Sequence, residues 1–157
     1  MPRLPRFLLE NACYHVITRG NQKQAIFFKD EDYLTYLMLL RRYKRKHKAK
    51  LYAFCLMTNH IHLVVECHKL TKLMHSINLS YAKYFNNKYK KVGHLWQDRF
   101  KSITITKDKY LLDCLQYVEY NPVRAKIIDE PAKYPWSSYQ NRILGKSDNI
   151  LDQVCFK

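Results

Sequence analysis

The sequence predicts an α+β fold: a four-stranded antiparallel sheet with helices packed on it, in the order strand, helix, strand, strand, helix, strand, helix. Three observations predict it. Segments of period-two alternation and segments of helical period succeed one another along the chain. Two of the strand-like segments are separated by only three residues, which suits an antiparallel hairpin. With 157 residues and 47% hydrophobic content, the chain can build a packed core, which excludes a disordered basic tail.

Residues 13–18 (Cys-Tyr-His-Val-Ile-Thr) read as the first strand, ended by Arg19-Gly20-Asn21. Asp30 opens a helix that runs to about His47. Asp30, Glu31 and Asp32 lie in its first turn, where they suit the macrodipole, and Tyr33, Leu37 and Leu40 follow at helical spacing. Residues 51–56 and 60–66 are two more strands, joined by Met57-Thr58-Asn59. Leu70, Leu73, Met74, Ile77, Tyr81, Tyr84 and Phe85 trace the core face of a long second helix. Residues 101–106 alternate Ile103 and Ile105 with polar neighbours and read as a half-buried fourth strand. The third helix covers residues 107–120, with Leu111, Cys114, Leu115 and Val118 as its buried face. Pro122 limits it, because the residue before a proline disfavours the helical region. The first six elements make a ferredoxin-like βαββαβ unit, the split βαβ, with the first and third strands central and the helices on one face. The other face is left for a ligand or for the last helix. The chain reads as one domain over 1–157, with a core of about 8–121 and a C-terminal extension of about 122–157.

Lys and Arg number 28 against 13 Asp and Glu, a formal net charge of +15. On a small domain that is the footprint of a polyanion binder; the plainer reading is a merely soluble basic protein. Arg41, Arg42, Lys44, Arg45, Lys46, Lys48 and Lys50 crowd the end of the first helix, more cations than a helix dipole asks for, and point to backbone phosphates. The five cysteines are odd in number and none is spaced Cys-x-x-Cys, which argues against a disulfide framework and a Cys-rich zinc knuckle and for a reducing compartment. No long apolar run follows the N-terminus and no stretch has membrane-span length, so the expected location is cytoplasmic, at the nucleoid. The absence of a helix-bound Gly-rich phosphate loop argues against an NTPase.

His60-Ile61-His62 lies on the third, central strand. Side chains two apart share a face, so both imidazoles can reach one metal ion, while Ile61, Leu63 and Val65 form the apolar opposite face. An incidental surface pair is the plainer alternative. Tyr117 and Asn121 are one helical turn apart, away from the apolar face of the third helix. Asn121 can offer an oxygen to an ion held by two histidines, a mixed site suited to Mg²⁺ or Mn²⁺ with phosphate oxygens. Tyr117 beside it is a candidate nucleophile for phosphodiester cleavage, although among 13 tyrosines plain packing is the commoner role.

The chain resembles the HUH single-tyrosine transposases, which act on single-stranded DNA, and more closely their REP-associated tyrosine branch. The resemblance rests on six segments in order. They are Tyr14-His15-Val16 with Arg19-Gly20-Asn21, Ile26-Phe27-Phe28, Met57 to Val65, Gly93 to Phe100, Tyr117 to Ala125, and Tyr134 to Tyr139. It implies that His60 and His62 bind the divalent metal, that Asn121 completes the site, and that Tyr117 is the nucleophile, with Tyr120 as the alternative. It implies transesterification through a 5′-phosphotyrosine on single-stranded DNA bearing a hairpin. Monomer and homodimer both remain open. His15, on a neighbouring strand, is a conceivable further ligand and reads better as structural.

Residues 81–100 interleave rings and cations. Lys90, Lys91, Trp96 and Arg99 are the expected DNA contacts there, with Tyr89 a further stacking ring. Two rival readings stand: a non-catalytic ferredoxin-like nucleic-acid-binding module, and a metal hydrolase using activated water, against which counts the lack of paired carboxylates near His60.

Overall fold

The computed structural model describes residues 9, 12–106, 108–146 and 149–154. Lys107, Cys155 and the first residues of the expected core lie outside them. The elements are β1 (Ala12–Arg19), α1 (Asp30–Lys46), β2 (Lys50–Leu56), β3 (His60–Cys67), α2 (Leu70–Tyr89), β4 (Lys101–Ile105), α3 (Asp108–Glu119) and two short helices, α4 (Asn121–Arg124) and α5 (Tyr139–Arg142). The sheet order is β2-β3-β1-β4 with every pair antiparallel, so β1 and β3 are central as the element order requires.

Alternation along the central strands divides the core in two. Tyr14, Val16, Ile61, Leu63 and Val65 meet Leu37, Leu40, Leu73, Ile77 and Phe85 of α1 and α2. On the other face Ala53, Cys55 and Val64 meet Leu111, Leu115 and Val118, so α3 takes the face left open by the first two helices. An irregularity between Leu51 and Ala53 lets Tyr52 and Ala53 join the same second cluster, although they are consecutive. The edge of β2 is covered by the C-terminal segment: Leu56 N–H donates to the Trp136 carbonyl and Ser138 N–H to that of Phe54.

Two expectations are corrected. β4 is an edge strand with β1 as its neighbour, and Ile103 is 58% exposed rather than half-buried, since α3 covers the β2–β3 half of the sheet. Tyr89 is not free to stack on a base. Its hydroxyl donates to buried Asp32 and its ring packs on Phe28 and Phe85. Asp32 also receives the Phe28 and Lys29 N–H groups, Tyr84 and Lys88, and so locks the start of α1 to α2. Among the described residues, no helix is long and apolar enough to cross a membrane.

Candidate active site

The hairpin before β3 closes with Met57 N–H on the His60 carbonyl, and β3 displays His60 and His62 on the α3 side with ring centroids 5.0 Å apart. His60 Nδ1 lies 2.7 Å from Asn59 Oδ1. The amide oxygen only accepts, so Nδ1 carries the proton. His62 Nδ1 lies 2.9 Å from Nε2 of His15, whose ring stacks on it at 5.2 Å. His15 pairs with Val64 across the sheet and is therefore a diagonal neighbour of His62. Both histidines of the pair engage Nδ1 with a neighbour, which leaves Nε2 for a ligand. Burial, and to a lesser degree Arg19, pushes the His60 imidazole down to about 4. Burial, helped by His60, His15 and Arg124, pushes His62 down to about 3, and burial lowers His15. Near neutral pH all three rings are uncharged, the form that ligates metals.

α3 brings Tyr117 to this cluster. Leu111, Leu115 and Val118 face the sheet, and Tyr117 stands at the rim, 49% exposed. Its ring meets His15 at 6.0 Å and His62 at 6.4 Å, edge to face, within the same chain. Tyr120 instead sets its ring against Tyr139, 6.1 Å away. Asn121 does not continue α3. The helix ends at Glu119, Tyr120 caps the next turn, and Asn121 opens α4 with Pro122 behind it. Its Nδ2 is buried without a hydrogen-bond partner. Turning the carboxamide over puts Oδ1, an acceptor and metal donor, at that same position. Among the described residues no cluster of three or more His, Cys, Asp and Glu is arranged for a metal. β3 sets two imidazole Nε2 atoms side by side. With an oxygen from Asn121 they would make a mixed donor set that suits Mg²⁺ or Mn²⁺ completed by phosphate and water oxygens.

Two anchors of the site escaped the sequence reading. Glu119 is fully buried and accepts from Ser138 Oγ at 2.9 Å and from Arg142 Nε at 2.7 Å, which fastens the end of α3 to the C-terminal segment. Arg124 lies over the Tyr117 ring, its guanidinium carbon 3.8 Å from the centroid, and donates to the Tyr117 carbonyl. The local signal for Arg124 was its spacing, two turns beyond Tyr117, hidden by the break at Pro122.

The expected DNA contacts fall in two places. The basic run lies at the far end of the sheet: Lys50 is opposite Glu66, at the other end of β3 from His60, roughly 20 Å away. Within the run, Lys44 is 12% exposed, and its ammonium is bound to Asp152 and the Ile150 carbonyl. Arg42 and Lys46 flank the Tyr43 ring, Arg45 is exposed, and Arg41 is half-buried. At the end of α2, Lys90 and Lys91 are exposed, with Lys91 over the rings of Phe28 and Phe85. Trp96 and Arg99 line a cavity of about 960 Å³ between α2 and the loop before β4, with Trp96 Nε1 donating to the Asn78 carbonyl. Gln97 N–H bonds the carbonyl of Arg19, the sheet partner of His60, so this loop borders the histidine end of the sheet.

Comparison with known proteins bears on the family and the fold. A curated protein of Haemophilus influenzae, named as a REP-associated tyrosine transposase, is 29% identical in an alignment 106 residues long, with coverage of 58% of this chain and 59% of that protein. The chain thus spans about 59% of the length of the curated relative it matches. A solved REP-associated tyrosine transposase bound to a REP hairpin superposes with a TM-score of 0.76 at 15% identity, covering 100% of this chain and 98% of the other. A Deinococcus radiodurans protein described as a transposase gives 0.52 at 18% identity, over 75% and 96%. The tRNA(His) guanylyltransferase of Saccharomyces cerevisiae also gives 0.52, at 12% identity, over 80% and 63%. These structural likenesses speak for the fold, which serves more than one chemistry. The family model described as "Transposase IS200 like" matches residues 9–121, from the approach to β1 through Tyr117 to Asn121, and the chain belongs to that family.

Proposed function

We propose that this protein, of the REP-associated branch, is a metal-dependent single-strand DNA endonuclease and strand transferase, acting on hairpin-bearing DNA through Tyr117. The observation that carries the reading is the Tyr117 ring held edge-on to His15 and His62 on the face that displays His60. In the reaction, Tyr117 Oη loses its proton and bonds to the scissile phosphorus. The bond from phosphorus to the 3′ oxygen breaks, and the leaving oxygen takes up a proton to become a free 3′-OH. Attack by a 3′-OH on the phosphotyrosine reverses the step and joins strands, so the bond energy is conserved in the covalent link. Held by His60, His62 and Asn121, Mg²⁺ or Mn²⁺ would supply Lewis-acid polarisation of the scissile phosphate. The net charge of +15, the cations at the end of α2 and the cavity beside Trp96 and Arg99 support DNA as the partner. The relative solved with a REP hairpin supports a hairpin in it.

The test is a denaturing gel of labelled single-stranded hairpin DNA with Mg²⁺ or Mn²⁺. Wild type and Tyr120→Phe are expected to give a protein-sized DNA adduct. Tyr117→Phe, His60→Ala and His62→Ala are expected to bind DNA and give none. Adduct from Tyr117→Phe but not from Tyr120→Phe would move the nucleophile to Tyr120. Cleavage without any adduct would favour the water-activating hydrolase, and binding without cleavage the non-catalytic module.

A further inference from the structure

We infer that Arg124 is a positioning residue for the nucleophile: its guanidinium clamps the Tyr117 ring in the attack orientation. The inference rests on the reading of Tyr117 as nucleophile. The contact is face-on at 3.8 Å, whereas the other cation–ring contacts among the described residues measure 5.3 to 5.9 Å. That distance is a stack of planar group on planar group, which arginine forms and lysine does not. The same guanidinium donates to the Tyr117 carbonyl, so it holds both the backbone and the ring of one residue. The ring also meets the rings of His15 and His62, and about half of the residue is exposed. Without Arg124 the ring would lose its shortest ring contact, and with it the restraint on rotation about its Cα–Cβ bond. Arg124 itself stands at the surface, on the wall of a small cavity of about 300 Å³ lined also by Asp113, Gln116, Tyr117 and Tyr120. Its bond to the Tyr117 carbonyl is solvent-exposed, so its removal leaves that carbonyl to water.

A merely structural alternative is that Arg124 caps the end of α3 through the Tyr117 carbonyl. Three variants and one additive separate the two. Wild type, Arg124→Ala and Arg124→Lys are compared for the single-turnover rate of adduct formation, for affinity for the same hairpin DNA in EDTA, and for melting temperature. Arg124→Ala is expected to slow adduct formation by roughly 10- to 100-fold, the scale of a misplaced reacting group. DNA affinity and melting temperature should stay near wild type. Guanidinium ion at sub-denaturing concentration should restore part of the rate to Arg124→Ala and none to Tyr117→Phe, and Arg124→Lys should lie between. A wild-type rate in Arg124→Ala overturns the inference. So does a parallel loss of affinity, which would make Arg124 a phosphate contact, and so does a loss of stability with no guanidinium rescue, which would make it a cap. If wild type itself forms no adduct, the covalent reading fails and the inference falls with it, an outcome visible in the wild-type lane alone.

Discussion

His15 shows how one residue sets the chemistry of another. For His62 Nε2 to ligate, its Nδ1 must carry the proton, and the Nε2 of His15 must accept it; the bond between them fixes which tautomer each ring adopts. His60 and His62 could be read from a spacing of two on a strand. The role of His15 could not, because its partner is 47 residues away and the diagonal register that joins them depends on β1 pairing with β3. The three rings also leave a signature in stability. Burial first of all holds the folded His60 and His62 imidazoles down to about 4 and about 3, against about 6.5 in an unfolded chain. Between those limits the unfolded chain binds protons that the folded chain refuses, so stability falls as the pH drops from about 6.5 towards 4. Thermal melts in EDTA across that window should show the decline, and His62→Asn should flatten it. A decline of equal steepness in the variant would mean that other groups carry it. Asp32 acts below the window, since burial works against its charge but Lys88, Tyr89 and the Phe28 N–H hold its carboxyl well below the usual range.

At the scale of elements, the amphipathic stripe of α3 predicted which side of the helix is buried, and that side packs on the second face of the sheet. The stripe alone could not say how the helix is held at its end. That depends on Glu119, which the periodicity leaves as an ordinary charged position and the fold buries completely against Ser138 and Arg142. The anchor lies 19 and 23 residues further on, past α4 and three prolines, where no local period reaches. Arg142→Ala would strip Glu119 of its cation and leave a buried charge bonded to one hydroxyl. Such a loss costs about 3 kcal/mol. Because Glu119 is two residues from Tyr117, the variant should also slow adduct formation, even at temperatures where it remains folded. Chemical denaturation together with the gel assay checks both; a stability change below about 1 kcal/mol would show that water replaces the arginine. The same blindness to distance explains Lys44. A run of cations reads as uniform along the chain, yet Asp152, brought in by the C-terminal segment, withdraws one member.

Across the whole molecule, Tyr117 meets His15 and His62 of its own chain, an arrangement in which the proposed site would need no second copy to assemble. Mixing Tyr117→Phe with His62→Ala should therefore restore no adduct; recovery of activity in the mixture would mean that α3 is exchanged between copies in solution. The charge is distributed over a longer span than the chemistry. The basic end of α1 runs into Lys50, which lies opposite Glu66, at the other end of β3 from His60 and roughly 20 Å from it along the strand. A DNA that reaches both places must cross the length of the sheet, and its affinity should depend on the distant cations while the reaction, once bound, should not. Each phosphate contact on a single strand adds roughly 0.7 to the slope of log K against log salt. Replacing Arg42 and Arg45 together by Gln should lower that slope by about 1.4 and leave the single-turnover rate at saturating DNA unchanged. Lys44→Gln is the internal control. Its ammonium is bound to Asp152 and the Ile150 carbonyl, so its loss should lower the melting temperature and leave the slope as it was. An unchanged slope in the double variant would show that the end of α1 is a solvated helix end and that the DNA keeps to the cavity beside Trp96 and Arg99.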